Sequence, residues 1–509
     1  MIFLFSKISS IGLIGINAFH VEVEVHIRRG GPYFDIGGLP DTAIKESRER
    51  IKSSLYVCGI QFPVAIVSVN LAPANTKKSG SVYDVAIFMA IVSATDLVNP
   101  VPPDCAFIGE LSLNGDIRSL NGVLSMVMLA KEKNIKSVFV PYENAREASV
   151  ISGIDVYAVK NVNELIEHFR GQNMLKPCNH YIPSFEVYGE QADFSEVMGQ
   201  QSAKKALEIS ASGGHNALLI GNPGCGKSML AKRMPSILPP LEFEEALETT
   251  KIHSILELVT PETPIITKRP FRSPHHTISA VGIVGGGKVP RPGEISIAHN
   301  GVLFFDEMAE FSRHKLEMLR QPLEDGVVNI SRVNGSYSYP CDVIFIGAMN
   351  PCPCGYYGSN RNRCRCTPKQ IEAYRAKISG PLIDRIDLHV EVAPLEFSEI
   401  TSVSKGESSA DIRKRVIVAR QIQKERFKDT SVKCNALMSK REINEYCIID
   451  NDSRNYLEKI FDIMGLSARG YDSILKVSRT IADLDESKNI QKKHIATAVR
   501  YRGLDRKLL

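Results

Sequence analysis

No apolar run in these 509 residues approaches the roughly 20 needed for a membrane-crossing helix, so no membrane partner is expected. Tryptophan is absent too, which by itself excludes nothing. Neither sign of charge dominates. The 62 Lys and Arg against 57 Asp and Glu leave a net +5, which permits a nucleic-acid partner without arguing for one. Residues 1–19 are apolar, but the only basic residue, Lys7, falls inside the stretch rather than ahead of it, and no small-residue cleavage site follows. The segment therefore reads as a first strand and turn, not as a secretory signal. Internal repeats and low-complexity tracts are also missing. What remains, 43% hydrophobic and 23% charged, is ordinary for a globular protein. The length is enough for roughly three domains, each with its own core.

Against this plain background one stretch stands out: Gly221-Asn222-Pro223-Gly224-Cys225-Gly226-Lys227-Ser228. An apolar run, 217–220, leads into it, and a helix-like segment, 228–234, leaves it. That strand–loop–helix context separates a phosphate-binding loop from a Gly-rich turn with an incidental Lys-Ser. Its backbone N–H groups and the helix N-terminus would surround a polyphosphate. Lys227 would reach the β- and γ-phosphates, and Ser228 would ligate Mg²⁺. ATP with Mg²⁺ is the expected cofactor.

Two further strands end in polar groups. Gly301 to Phe305 runs into Asp306 and Glu307, and Asp342 to Ala348 runs into Met349 and Asn350. Ligands of open α/β sheets sit at the carboxyl ends of the strands. Asp306 suits Mg²⁺, Glu307 suits the base that orients an attacking water, and Asn350 can hold that water and sense the γ-phosphate.

The chain divides accordingly. Residues 1–169 mix an alternating strand, Val21 to Ile27, with a further strand at 63–71 and helical spacing at 85–97, and read as α/β. Residues 170–193, with Pro177 and Pro183, read as a linker. An α/β nucleotide-binding region is expected over 194–395. Beyond it, 396–509 is charged and helix-patterned and reads as an all-helical C-terminal domain.

Eleven cysteines would be unusual for a disulfide scaffold of this length, and an ATP-type site favours a reducing cytoplasm. Cys352, Cys354, Cys364 and Cys366 lie within about 15 residues, close enough for four thiolates to close a structural zinc site. Their C-x-C spacing departs from the usual C-x₂-C, so free thiols or redox pairs remain the alternatives.

The three strand-end sites resemble the Walker A, Walker B and sensor 1 sites of AAA+ proteins. Pro381 to Leu388 resembles the arginine-finger segment of the magnesium-chelatase and MCM branch, which implies that Arg385 reaches the γ-phosphate of a neighbouring subunit. Leu466 to Tyr471 resembles the sensor 2 segment, which implies a nucleotide contact for Arg469. An arginine acting across subunits implies a ring, in this branch a hexamer. About 79 residues separate Lys227 from Asp306, and the excess resembles the helix-2 insert of that branch. Leu323 to Tyr339 resembles its pre-sensor-1 hairpin, with Asn334-Gly335 a suitable turn. Lys268, Arg269, Arg272, Lys288, Arg291 and Arg332 are thereby candidate contacts for single-stranded or branched DNA, with Tyr337 for base stacking. Solvated loop positions are the competing reading. His275-His276 has no spacing-matched metal partner.

Gly37 to Arg50 and Val69 to Ala74 resemble the N-terminal domain of the YifB/ComM family of magnesium-chelatase-like AAA+ ATPases, and the resemblance spans about 12–505. It implies a Lon-protease/S5-like α/β domain, an AAA+ P-loop core and a C-terminal helical lid. The Lon-type Ser–Lys dyad is not reproduced: Val82 and Leu124 align with its two positions. The resemblance implies a DNA helicase or branch-migration ATPase of homologous recombination or transformation. A metal-chelatase motor subunit, an ATP-dependent protease and an ATP-switched scaffold are the rivals.

Overall fold

A computed structural model describes residues 4–185, 193–332, 335–359, 363–394 and 406–503. The chain gathers into two compact units, Met1–Ser184 with Phe243–Thr267, and Phe185–Glu242 with Lys268–Leu509.

The first unit is built on a mixed seven-stranded sheet. Its strands are β1 (Leu4–Ile14), β2 (Asn17–Arg28), β3 (Tyr33–Gly37), β4 (Ile66–Ala72), β5 (Cys105–Phe107), β8 (Ser137–Pro141) and β9 (Asp155–Val159), in the order β3-β4-β2-β1-β5-β8-β9. A short ribbon, β6 (Glu110–Leu111) with β7 (Ile117–Arg118), stands apart. The apolar N-terminus is the first strand of this sheet, paired antiparallel along its length with β2. Alternation in β2 sends Val21, Val23, Val25 and Ile27 into the core. The helix Asp84–Ala94 is buried almost throughout, and its leading Asp84 is held by Arg50 Nε at 2.7 Å and by the amide of Leu111 at 3.2 Å.

The span 243–267, inside the expected nucleotide-binding region, joins this first unit. Ser254, next to last in its helix Phe243–Ile255, donates its hydroxyl to Glu147 at 2.5 Å and accepts from the amide of Gly122 at 2.9 Å. Asn121 adds a bond to Glu257 at 2.9 Å.

The second unit carries a parallel five-stranded sheet, β11 (Phe271–Arg272), β14 (Gly301–Phe305), β17 (Val343–Met349), β10 (Ala217–Gly221) and β18 (Leu388–Val392), in the order β11-β14-β17-β10-β18. Continuous apolar runs suit strands covered on both faces. Two antiparallel ribbons, β12 (Gly285–Gly286) with β13 (Arg291–Pro292) and β15 (Val327–Arg332) with β16 (Gly335–Pro340), project from it. Asn334, the expected turn residue, lies outside the described residues.

The C-terminal helices Ser409–Arg426, Asn451–Met464, Ala468–Leu484 and Lys492–Arg500 share one buried core with the sheet. A polar brace reinforces the join. Asp387, at the start of β18, accepts from His215 Nδ1 at 3.0 Å and Ser473 Oγ at 2.6 Å, while His215 Nε2 meets Thr480 Oγ1 at 2.8 Å. Among the described residues no helix is long and apolar enough to cross a membrane.

Candidate nucleotide site and the cysteine cluster beside it

Strand register brings the polar groups together. In the parallel ladder Ile220 of β10 stands opposite Met349 of β17, and Phe305 of β14 opposite Gly347. The residues that follow these strands therefore emerge side by side at the carboxyl edge. The loop after β10 turns through Gly224 and Gly226 at φ +77° and +91°, a left-handed conformation that glycine adopts without a Cβ penalty. The helix Lys227–Ile237 starts immediately after it.

Lys227 is buried at that helix start. Its ammonium donates to the carbonyl oxygens of Gly221 at 2.6 Å and Asn222 at 2.9 Å, and to Asn350 Oδ1 at 3.1 Å. Burial lowers its pKa, against the opposing pull of Cys225, Asp306 and Glu307. Ser228 Oγ donates to Asp306 Oδ2 at 2.7 Å, and Asp306 Oδ1 accepts the amide of Glu307 at 3.0 Å. A hydroxyl and a carboxylate in contact form the hard oxygen pair that Mg²⁺ prefers. Glu307 is exposed and sits at φ +47°, a posture that costs on the order of 1–3 kcal/mol for a residue with a side chain.

Two residues that sequence reasoning missed complete the edge. Gln200 caps the preceding helix at φ +56° and donates to the carbonyls of Cys225 at 3.3 Å and Ala393 at 2.6 Å, bracing the loop against the end of β18. Glu324, ahead of the β15–β16 ribbon, receives both Arg385 and Arg469 on its two carboxylate oxygens. Arg385 also donates to Pro381 O at 2.7 Å, while its buried Nε lacks a partner among the described residues. The two arginines thus share one carboxylate, and Glu324 is held below its usual range despite partial burial by the bonds and charge of Arg385 and then Arg469.

The six basic candidates divide. Arg269 is committed to the carbonyls of Pro239 at 2.7 Å, Asn300 at 2.8 Å and Pro240 at 3.3 Å. Arg272 grips Glu294 with two bonds, 2.6 and 2.8 Å. Lys268, Lys288, Arg291 and Arg332 are exposed. The β12–β13 and β15–β16 ribbons adjoin: Tyr339 donates to Pro290 O at 2.8 Å, and an Arg332 nitrogen lies 3.7 Å from where a Cβ of Gly286 would stand. The rings of His275 and His276 lie 4.0 Å apart between centroids, tilted by 38°.

The four sulfurs of Cys352, Cys354, Cys364 and Cys366 all lie within 4.8 Å of one another. Three pairs stand at 3.4, 3.7 and 3.6 Å. Tetrahedral coordination at about 2.3 Å per Zn–S bond sets an edge of about 3.8 Å, so the spacing fits a tetrathiolate metal site. Backbone amides of Arg365 and Tyr356 lower the Cys354 pKa toward the thiolate form that a metal binds, while Cys364 and Cys366, each against a backbone amide, are raised by burial and by the neighbouring sulfurs.

In the first unit, Val82 and Leu124 are both buried and apolar. Ser81 donates to the Glu110 carboxylate, and the buried Lys78 spends its ammonium on the carbonyl of Pro73.

A parallel sheet in which one strand, β10, feeds a Gly-rich loop, with Asn at the end of its neighbour β17 and Asp-Glu at the end of β14 beyond it, is the architecture of an AAA+ P-loop NTPase. Three family models match: magnesium chelatase, subunit ChlI, over residues 193–400, subunit ChlI of Mg-chelatase over 23–144, and the magnesium chelatase subunit ChlI C-terminal region over 406–502. The YifB protein of Salmonella typhimurium is 41% identical over 500 residues, 97% of this chain and 96% of that protein. The competence protein ComM of Haemophilus influenzae is 39% identical over 502 residues, 97% of each chain. A Lon protease of Acinetobacter baumannii is 30% identical over 159 residues, 29% of this chain and 19% of that protein. The chain belongs to the YifB/ComM family of magnesium-chelatase-like AAA+ ATPases.

Proposed function

We propose that this chain is the subunit of a ring-forming ATPase that couples ATP hydrolysis to DNA remodelling, as in branch migration. The observation that carries the reading is the convergence of Lys227, the Ser228–Asp306 pair, Glu307 and Asn350 at the ends of three adjacent strands. ATP bound with Mg²⁺ supplies the phosphoryl group and the driving force. Lys227 and the loop amides bind the phosphates, Ser228 and Asp306 hold the metal, Asn350 positions water, and Glu307 takes up its proton. Arg385, which shares the Glu324 carboxylate with Arg469, is read as the arginine that serves a neighbouring subunit.

The exposed cations on two adjoining ribbons, Lys288, Arg291 and Arg332, support a strand of nucleic acid as the moving partner. Zinc in the tetrathiolate site and a cytoplasmic, hexameric assembly complete the reading. The first unit is read as a Lon/S5-like module without proteolytic activity. The apolar positions 82 and 124 support this, as does the commitment of the Lys78 ammonium to the carbonyl of Pro73.

The ATPase rate measured with and without single-stranded and branched DNA tests it, with Glu307→Gln as control. Strong stimulation that the variant abolishes is expected. Turnover indifferent to DNA would sink the DNA reading in favour of a chelatase-type motor, the activity for which the matching family models are named.

A further inference from the structure

The cysteine cluster adjoins the nucleotide site, and the connection is short enough to be mechanical. Only Pro351 separates Asn350 from Cys352, which is fully buried. Proline fixes its own φ, which limits how far Asn350 and Cys352 can move independently. Asn350 in turn accepts from Lys227. Residues 350–359 form neither helix nor strand. Local bonds hold them instead: Gly355 N to Cys352 O at 3.0 Å, Tyr357 N to Cys352 Sγ at 3.3 Å, and Arg375 Nε to Pro351 O at 3.3 Å.

A second route leads to the phosphate loop itself. Gly355 sits at φ +85°, and a Cβ there would stand 2.6 Å from Cγ and Cδ of Pro223 and 3.9 Å from Cγ of Asn350. The backbone of the cysteine loop therefore rests directly on the loop that would cradle phosphate.

We infer that the tetrathiolate site is a mount for nucleotide sensing. A metal ion on Cys352, Cys354, Cys364 and Cys366 fixes Asn350 through Pro351 and props Pro223 through Gly355. A metal that served only to stabilise the fold would have no need to place its ligand loop against both residues. The inference rests on the nucleotide reading above, and it makes Gly355 a positioning residue of that site.

Two alanine substitutions in the full chain separate mount from mere staple. Gly355 and Gly358 both have positive φ, +85° and +75°, so the backbone strain of an added Cβ is matched. At Gly358 no atom of the described residues lies within 4 Å of the Cβ position. The measurements are zinc content by elemental analysis and the Kd of a fluorescent ATP analogue with Mg²⁺ in excess. Gly355→Ala is expected to keep its zinc and to weaken analogue binding about tenfold or more. Gly358→Ala is expected to keep both. Stripping zinc from the wild-type chain with a chelator should weaken binding in the same way, and adding Zn²⁺ back should restore it.

Equal affinities for the two alanine variants, or a stripped chain that binds as well as the loaded one, overturn the mount while leaving the ATPase reading intact. A wild-type chain that binds the analogue but carries no metal does the same. Failure of the wild-type chain to bind the analogue at all sinks the nucleotide reading, and the mount with it.

Discussion

His389 is a titratable ring in the strand that flanks the phosphate-loop strand, opposite Leu218, with only 4% of its surface exposed. Burial, and then the neighbouring charge of Arg502, push its pKa down to about 3. In the unfolded chain a histidine titrates near 6.5, so between these values the unfolded state holds a proton that the folded state refuses. Stability from this site is complete above about pH 6.5 and is lost as pH falls toward 3, at no more than about 1.4 kcal/mol per unit. Between pH 7.5 and 5.0 the loss should reach about 2 kcal/mol. His389→Leu should flatten that part of the profile, read as the change in Tm between the two pH values. Parallel wild-type and variant profiles would show that the ring is not held neutral. Glu307 carries another local cost, its left-handed backbone, and there the strained residue is the one placed to do chemistry.

At the scale of elements, the two ribbons divide the basic residues by what each guanidinium or ammonium already holds. Removing Arg332 or Lys288 should weaken binding to single-stranded DNA and lower the slope of log affinity against log salt by about 0.7 for each phosphate left unneutralised. Arg272→Ala should leave that slope alone and instead lower the melting temperature, because it breaks a two-bond pair with Glu294. Fluorescence anisotropy of a labelled oligonucleotide across a salt series reads the slope, and equal slopes for Arg332→Ala and wild type would remove the ribbons from the DNA path. This sorting was not legible in the sequence, which shows six cations but not that Arg269 meets carbonyls some 30 positions away. Nor does it show that Ser254 finds Glu147 and Gly122 in the first unit. The strand-end sites were legible because each is local: an apolar run with a polar group at its end needs no distant partner to be recognised. The four cysteines fall between these cases, their proximity readable from spacing but the approach of Gly355 to Pro223 visible only in three dimensions.

At the scale of the whole molecule, one chain holds, on the proposed reading, an incomplete set of catalytic charges. Lys227, Glu307 and Asn350 gather at the ends of adjacent strands of one sheet, whereas Arg385 and Arg469 converge on Glu324. A carboxylate gripped by two arginines is a favourable resting place when no phosphate competes. For either arginine to serve a nucleotide on a neighbouring subunit, assembly must exchange that carboxylate for phosphate. A ring built this way makes a specific demand: Lys227 and Arg385 must come from different copies. Lys227→Ala and Arg385→Ala are each expected to be inactive alone. Mixed in equal amounts and allowed to exchange, they should regain about a quarter of the wild-type interfaces, those pairing the intact lysine of one subunit with the intact arginine of the next. The rate of phosphate release from the mixture, compared with either variant at the same total concentration, reads this directly. Recovery would establish that the arginine works across subunits. A mixture as inactive as its components, under conditions where wild-type subunits exchange, would place both groups in one chain and remove the need for a ring in the hydrolytic step.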